Sequence, residues 1–108
     1  MKYCNYLPLL ALLVLATPLV SADELDGQML VESKRCIACH HRSKTLIGPS
    51  YQAIAARHAA NKDIMVEVLA QKIIVGGAGN WGVVPMVPNE HVSLEEARTI
   101  SRWILDLQ

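Results

Sequence analysis

The feature that most constrains this chain is a pentad, Cys36-Ile37-Ala38-Cys39-His40, because its two thiols are the only ones left once a hydrophobic leader is set aside. The third cysteine, Cys4, lies in that leader, well before the end of its apolar run. From Met1 to Ala22, sixteen of twenty-two residues are hydrophobic and Lys2 is the single charge. The apolar run from Leu7 to Val20 has 14 residues. As a helix it would span about 21 Å, short of the roughly 30 Å hydrocarbon core of a bilayer. Pro8, Thr17 and Pro18 weaken it further as a span. Small residues at Val20-Ser21-Ala22, just ahead of Asp23-Glu24, predict cleavage after Ala22. Residues 1–22 are therefore expected to be a cleaved signal peptide, with residues 23–108 as one exported domain and no membrane span after cleavage.

That domain carries nine basic against ten acidic side chains and no basic run. A near-neutral chain lacks the cationic face that phosphate neutralisation needs, which excludes nucleic acid as a partner. A domain of this size buries only about 60–65% of its unfolded surface, so it gains from a staple, a metal or a cofactor. Its aromatic side chains are Tyr51, Trp81 and Trp103, with no Phe.

Four helical stretches follow a 3.6-residue period, and no stretch alternates with period two over strand length, so the expected class is all-α. Asp26 is the expected N-cap of the first, with Met29, Leu30, Ser33, Cys36 and Ile37 on one face and Lys34 and Arg35 at its C-terminal end. Ser50 caps a short second helix presenting Tyr51, Ile54, Ala55 and His58. Asp63 caps a third, with Met65, Val68, Leu69, Lys72 and Ile73 aligned. Residues 76–92, with four glycines, Pro85 and Pro88, read as a long functional loop. Ser93 and Glu96 form a capping box for the last helix, whose inward face is Ala97, Ile100, Ile104 and Leu107.

Cys-x-x-Cys-His is the attachment pattern of a c-type haem. Two thiols one helical turn apart can add to the two vinyl groups on one porphyrin edge, and the adjacent imidazole reaches the iron from the same side. Three other readings compete. A zinc site could draw on Cys36, Cys39, His40 and His58, but the usual second ligand pair is missing. A thioredoxin-like dithiol needs a βαβ context. A disulfide between residues so close closes too short a loop to stabilise much. If His40 holds the iron, an electron-shuttling centre needs a sixth ligand. Met86 is the candidate because it stands between Pro85 and Pro88, whereas Met29 and Met65 fall on helix faces where core filling is the better use.

Beyond the pentad, the chain has Ile47-Gly48-Pro49, the run Asn80-Trp81-Gly82-Val83-Val84-Pro85-Met86-Val87-Pro88-Asn89, and a final amphipathic helix carrying Trp103. On these residues, across essentially the whole expected domain, it resembles the short class I monohaem cytochromes c of bacteria, the periplasmic type that donates electrons to nitrite reductase in pseudomonads and their relatives. The resemblance implies about four helices around one haem c, covalent through Cys36 and Cys39, with His40 and Met86 as axial ligands. It further implies that the Pro49 carbonyl takes the other ring N–H of His40 and that the Asn89 amide donates to the Met86 sulfur. Trp81 and Lys72 would lie near the haem propionates. His41 and His91 read as exposed, and His58, where relatives often have an aromatic, as packed flat.

The implied function is that of a soluble periplasmic one-electron carrier, a monomer and not an enzyme, in anaerobic (nitrite, denitrification) or aerobic respiration. Nitrite reductase or a terminal oxidase would be the acceptor and a membrane cytochrome complex the donor. The alternative is a haem enzyme or gas sensor in which Met86 leaves the iron readily.

Overall fold

A computed structural model describes residues 16–108; the greater part of the expected signal peptide, residues 1–15, lies outside the described residues. The order of elements is α1 (Ala22–Ser33), a 3₁₀ turn (Cys36–Ala38), α2 (Tyr51–Arg57), a second 3₁₀ turn (Ala59–Asn61), α3 (Lys62–Val75), β1 (Gly77–Gly79), β2 (Gly82–Met86) and α4 (Leu94–Leu105). The four expected helices are present, and α4 is the hub against which the other three pack.

The strongest local signal in the sequence makes that hub. Ser93 Oγ accepts from the Glu96 N–H at 3.2 Å while the Glu96 carboxylate accepts from the Ser93 N–H at 2.9 Å, closing the expected capping box. Ala97, Ile100, Ile104 and Leu107 are buried as the periodicity predicts, joined by Trp103 and Leu105. Helix α1 crosses this face at Gly27, where a side chain would run into Trp103. Arg98 of α4 forks onto the Glu67 carboxylate of α3 at 2.7 and 3.2 Å.

Several local expectations are corrected. In the uncleaved chain, helix α1 is capped by Ser21, whose Oγ accepts from Glu24 N at 3.3 Å, not by Asp26, and Asp23 and Glu24 fill its first turn, where the helix dipole favours them. Its inward side is Gly27 and Val31 with Leu30 packed against the core, and Met29 is exposed rather than core-filling. The helix stops at Ser33, and Arg35 turns left-handed at φ 65°, so Cys36 and Ile37 leave the helix and start a turn of their own. Helix α3 begins at Lys62 after Asn61, with Asp63 inside its first turn. Its buried residues are Ala70 and Ile73, while Val68 is exposed.

Residues 77–86 are not loop but an antiparallel hairpin with Gly77 opposite Met86 and Gly79 opposite Gly82. Period two is invisible there because glycines occupy β1 and both faces of β2 are exposed up to Met86, so no burial imposes alternation.

Candidate haem site

The pentad folds into one closed turn. The Cys36 carbonyl accepts from both the Cys39 N–H at 3.1 Å and the His40 N–H at 3.0 Å. Both thiols are free and half-buried. Burial pushes the Cys36 thiol pKa up, its own backbone N–H pulls it down, and Cys39 adds a smaller upward push. The chain then loops out and returns, with the Gly48 N–H donating to the Cys39 carbonyl at 2.8 Å. Helix α2 starts at once, its first two N–H groups donating to the His41 and Arg42 carbonyls at 3.0 Å each, while Ser50 Oγ accepts from Ala53 N at 3.0 Å.

This return path fixes His40. Its Nδ1 lies 2.7 Å from the Pro49 carbonyl oxygen, so Nδ1–H donates there and Nε2 is left for a metal. Gly48 lies directly under the ring, where a Cβ would come within 2.9 Å of Nδ1. The Tyr51 ring stacks on the imidazole with centroids 5.6 Å apart and planes at 23°, and Tyr51 in turn meets Trp103 of α4 edge-on at 5.2 Å. The imidazole is thereby wedged between a loop and the core. Sequence reasoning paired His40 with Pro49 but gave Gly48 and Tyr51 no role. Gly48 entered only through the Ile47-Gly48-Pro49 motif, and Tyr51 only through the face of the second helix.

Met86 closes β2 and packs partly against the core. Gly76, at φ 70° and buried, lets the chain pass: a Cβ there would strike the Met86 carbonyl and lie 2.8 Å from both Pro88 N and Val87 C. The Asn89 amide does not reach for the Met86 sulfur as expected. It donates to the carbonyls of Ile73 at 2.9 Å and Val87 at 3.2 Å, because the end of α3 leaves a carbonyl that the helix cannot satisfy. Lys72 runs along the base of the hairpin, with Nζ 2.9 Å from where a Gly77 Cβ would stand. Trp81 sits at the hairpin tip under the Arg57 guanidinium.

Two of the remaining histidines hydrogen-bond the backbone. His41 is exposed and its Nδ1 accepts from the N–H groups of Ser43 and Lys44 at 3.1 and 3.2 Å. His91, also exposed, sets Nε2 3.2 Å from the Lys34 carbonyl. His58 is half-buried at the end of α2, where burial and then the Arg57 charge lower its pKa. Among the described residues no three His, Cys, Asp or Glu side chains gather to hold a metal ion, so the zinc set of Cys36, Cys39, His40 and His58 does not assemble.

The donor set fits a haem c. A fixed imidazole presents Nε2 beside two free thiols at attachment spacing. The Tyr51 hydroxyl and the Trp103 indole N–H are buried with no hydrogen-bond partner among the described residues. Burial, and then Cys36 and Cys39, hold the Tyr51 proton more firmly than in water.

No known family profile matches the chain. Individual relatives do. It is 42% identical to cytochrome c-551 of Pseudomonas denitrificans over 82 residues, covering 76% of this chain and 98% of that protein. With cytochrome c-551 of Azotobacter vinelandii it shares 43% over 79 residues, 73% of this chain and 94% of the relative. The crystal structure of Nitrosomonas europaea cytochrome c552 superposes with a TM-score of 0.71 at 41% identity, covering 75% of this chain and 99% of that one. These likenesses favour electron transfer over the enzyme reading. The chain belongs to the cytochromes c-551 and c-552, small class I cytochromes c that carry one covalent haem c and transfer electrons.

Proposed function

We propose that this protein is a soluble periplasmic carrier that moves single electrons through a haem c ligated by His40 and Met86. The observation that carries the reading is the 2.7 Å contact from His40 Nδ1 to the Pro49 carbonyl, which commits the ring to offering Nε2 outward. When bound, the haem iron supplies a one-electron couple, and a histidine–methionine pair favours its ferrous state. Cys36 and Cys39 anchor the group from the His40 side. Pro85 and Pro88 stiffen the backbone on either side of Met86, so the thioether moves little when the charge changes. Lys72 and Trp81 would flank the haem carboxylates, and Asn89 secures the loop carrying Met86 through the carbonyls it bridges.

Exposed Ile37, Val84 and Val87 offer a small apolar patch suited to short-lived redox complexes of a monomer. A membrane cytochrome complex is the proposed donor and nitrite reductase or a terminal oxidase the acceptor, in nitrite or aerobic respiration. Residues 1–22 act as the export signal, and among the described residues no helix is long and apolar enough to cross a membrane.

Oxidised and reduced visible spectra, repeated on Met86→Ala, test the ligand pair. The intact protein should show a six-coordinate haem c that denaturation and reduction do not extract. Met86→Ala should lose the ferric sulfur-to-iron band and fall in potential. Persistence of that band in Met86→Ala would move the ligand to Met29 or Met65 and overturn the assignment.

A further inference from the structure

The side chain of Arg57, from the last turn of α2, reaches across to the hairpin tip and touches it twice. Its guanidinium lies over the Trp81 ring, 4.6 Å from the centroid, and its Nη1 donates to the Asn80 carbonyl at 2.5 Å. The two contacts restrain different things: the carbonyl bond fixes the backbone at the turn, and the planar cation fixes which face of the indole is covered. Core packing does not do this, because Trp81 is 45% exposed and Val83, two residues on, is 93% exposed. An unrestrained indole at such a tip would sample several rotamers. The cation–π contact selects among them. Lys72 sits beside Gly77 at the base of the same hairpin, so basic side chains attend both of its ends.

We propose that Arg57 is a positioning residue for electron transfer: it orients the Trp81 ring so that the indole N–H is held toward a haem carboxylate, which raises the reduction potential. This rests on the reading that Trp81 donates to that carboxylate. Hydrogen bonding withdraws negative charge from the haem periphery, and negative charge there favours ferric iron. Arg57 acts through Trp81 and does not need to touch the haem.

The test uses the intact haem-loaded protein in about 0.5 M salt, where the Debye length is only a few ångströms and the direct field of an exposed charge is screened. Two quantities are read in Arg57→Gln, Arg57→Lys, Trp81→Phe and the Arg57→Gln/Trp81→Phe double variant: the reduction potential, and the hydrogen-exchange rate of the Trp81 indole N–H by NMR of the ferrous form where Trp81 is present. Arg57→Gln should speed indole exchange several-fold, up to about tenfold, and lower the potential. Arg57→Lys should restore part of both. The double variant should have the same potential as Trp81→Phe alone, because the effect passes through the indole. An unmoved potential or unchanged exchange in Arg57→Gln, or additive potentials in the double variant, overturns the positioning role while leaving the Trp81 contact in place. An unmoved potential in Trp81→Phe overturns the proposal at its premise. Loss of the haem spectrum from the parent protein would instead remove the haem reading itself.

Discussion

The two halves of the candidate site are built on opposite plans. On the His40 side the ring is held from three directions by the Pro49 carbonyl, Gly48 and Tyr51, and Tyr51 is 3% exposed and joined through Trp103 to the hub helix. On the Met86 side the thioether sits at the end of a largely exposed hairpin, secured by the Asn89 side-chain amide, which donates to the Ile73 and Val87 carbonyls, and by the close passage over Gly76. A side chain clamped by the core can move only if the core moves, whereas one carried by an exposed hairpin can depart through local opening. The histidine side is thus expected to share the global stability of the domain, and the methionine side to yield first.

The largest effect should come from Gly48→Val. The new side chain meets an imidazole that has nowhere to go, because the carbonyl bond and the Tyr51 stack hold it from the other sides. Overpacking of this kind costs about 1–3 kcal/mol, and here it also displaces the His40 imidazole. Circular dichroism and haem spectra should show a poorly folded protein with a perturbed iron environment. A variant with parental Tm and spectrum would mean that the His40 side is looser than its contacts imply.

Gly76→Ala should separate the two halves. The added Cβ strikes backbone atoms of Met86, Val87 and Pro88, and φ 70° with ψ −156° is a region essentially confined to glycine, costing alanine about 1–3 kcal/mol. The expected result is loss of the ferric sulfur-to-iron band with the helical content and covalent haem retained. Simultaneous loss of helix and band would show that the halves fail together.

Asn89→Ala removes the donor that serves the Ile73 and Val87 carbonyls, at a cost of about 1–3 kcal/mol if both are left without a partner. Heating should bleach the sulfur-to-iron band well before helical ellipticity falls, with a wider gap between the two transitions than in the parent. Coincident transitions in both proteins would rule out independent opening of the hairpin side.

The smallest effect concerns acid. The Ser93 backbone N–H and then Lys34, 3.0 Å away, hold the Glu96 carboxyl below the usual carboxylate range. A folded-state pKa below the unfolded value, about 4.3, stabilises the fold fully above that value. The contribution is lost as pH falls through the folded pKa. Glu96→Gln should therefore narrow the difference in Tm between neutral and acid solution, while the His40 contacts, which Glu96 does not touch, leave the haem spectrum unchanged. An undiminished difference would assign the acid sensitivity elsewhere, with Glu67, whose carboxyl Arg98 holds low in the same way, next in line.

The sequence by itself determined the hub and the chemistry. The capping box at Ser93 and Glu96 and the 3.6-residue spacing of Ala97, Ile100 and Ile104 are local facts, and the Cys36-x-x-Cys39-His40 spacing brings its reactive atoms together within a single turn. The tertiary structure alone decided where α1 ends, since the left-handed turn at Arg35 is not written in any apolar period. It alone decided that Asn89 serves α3 and Val87, and that residues 77–86 form a hairpin with no buried face to announce it. It also brought Gly48 under His40 and Arg57 over Trp81, contacts between residues 8 and 24 positions apart. Periodicity reports which face of an element is buried. What that face touches depends on how the elements pack, and packing is settled by contacts that no short window of sequence contains.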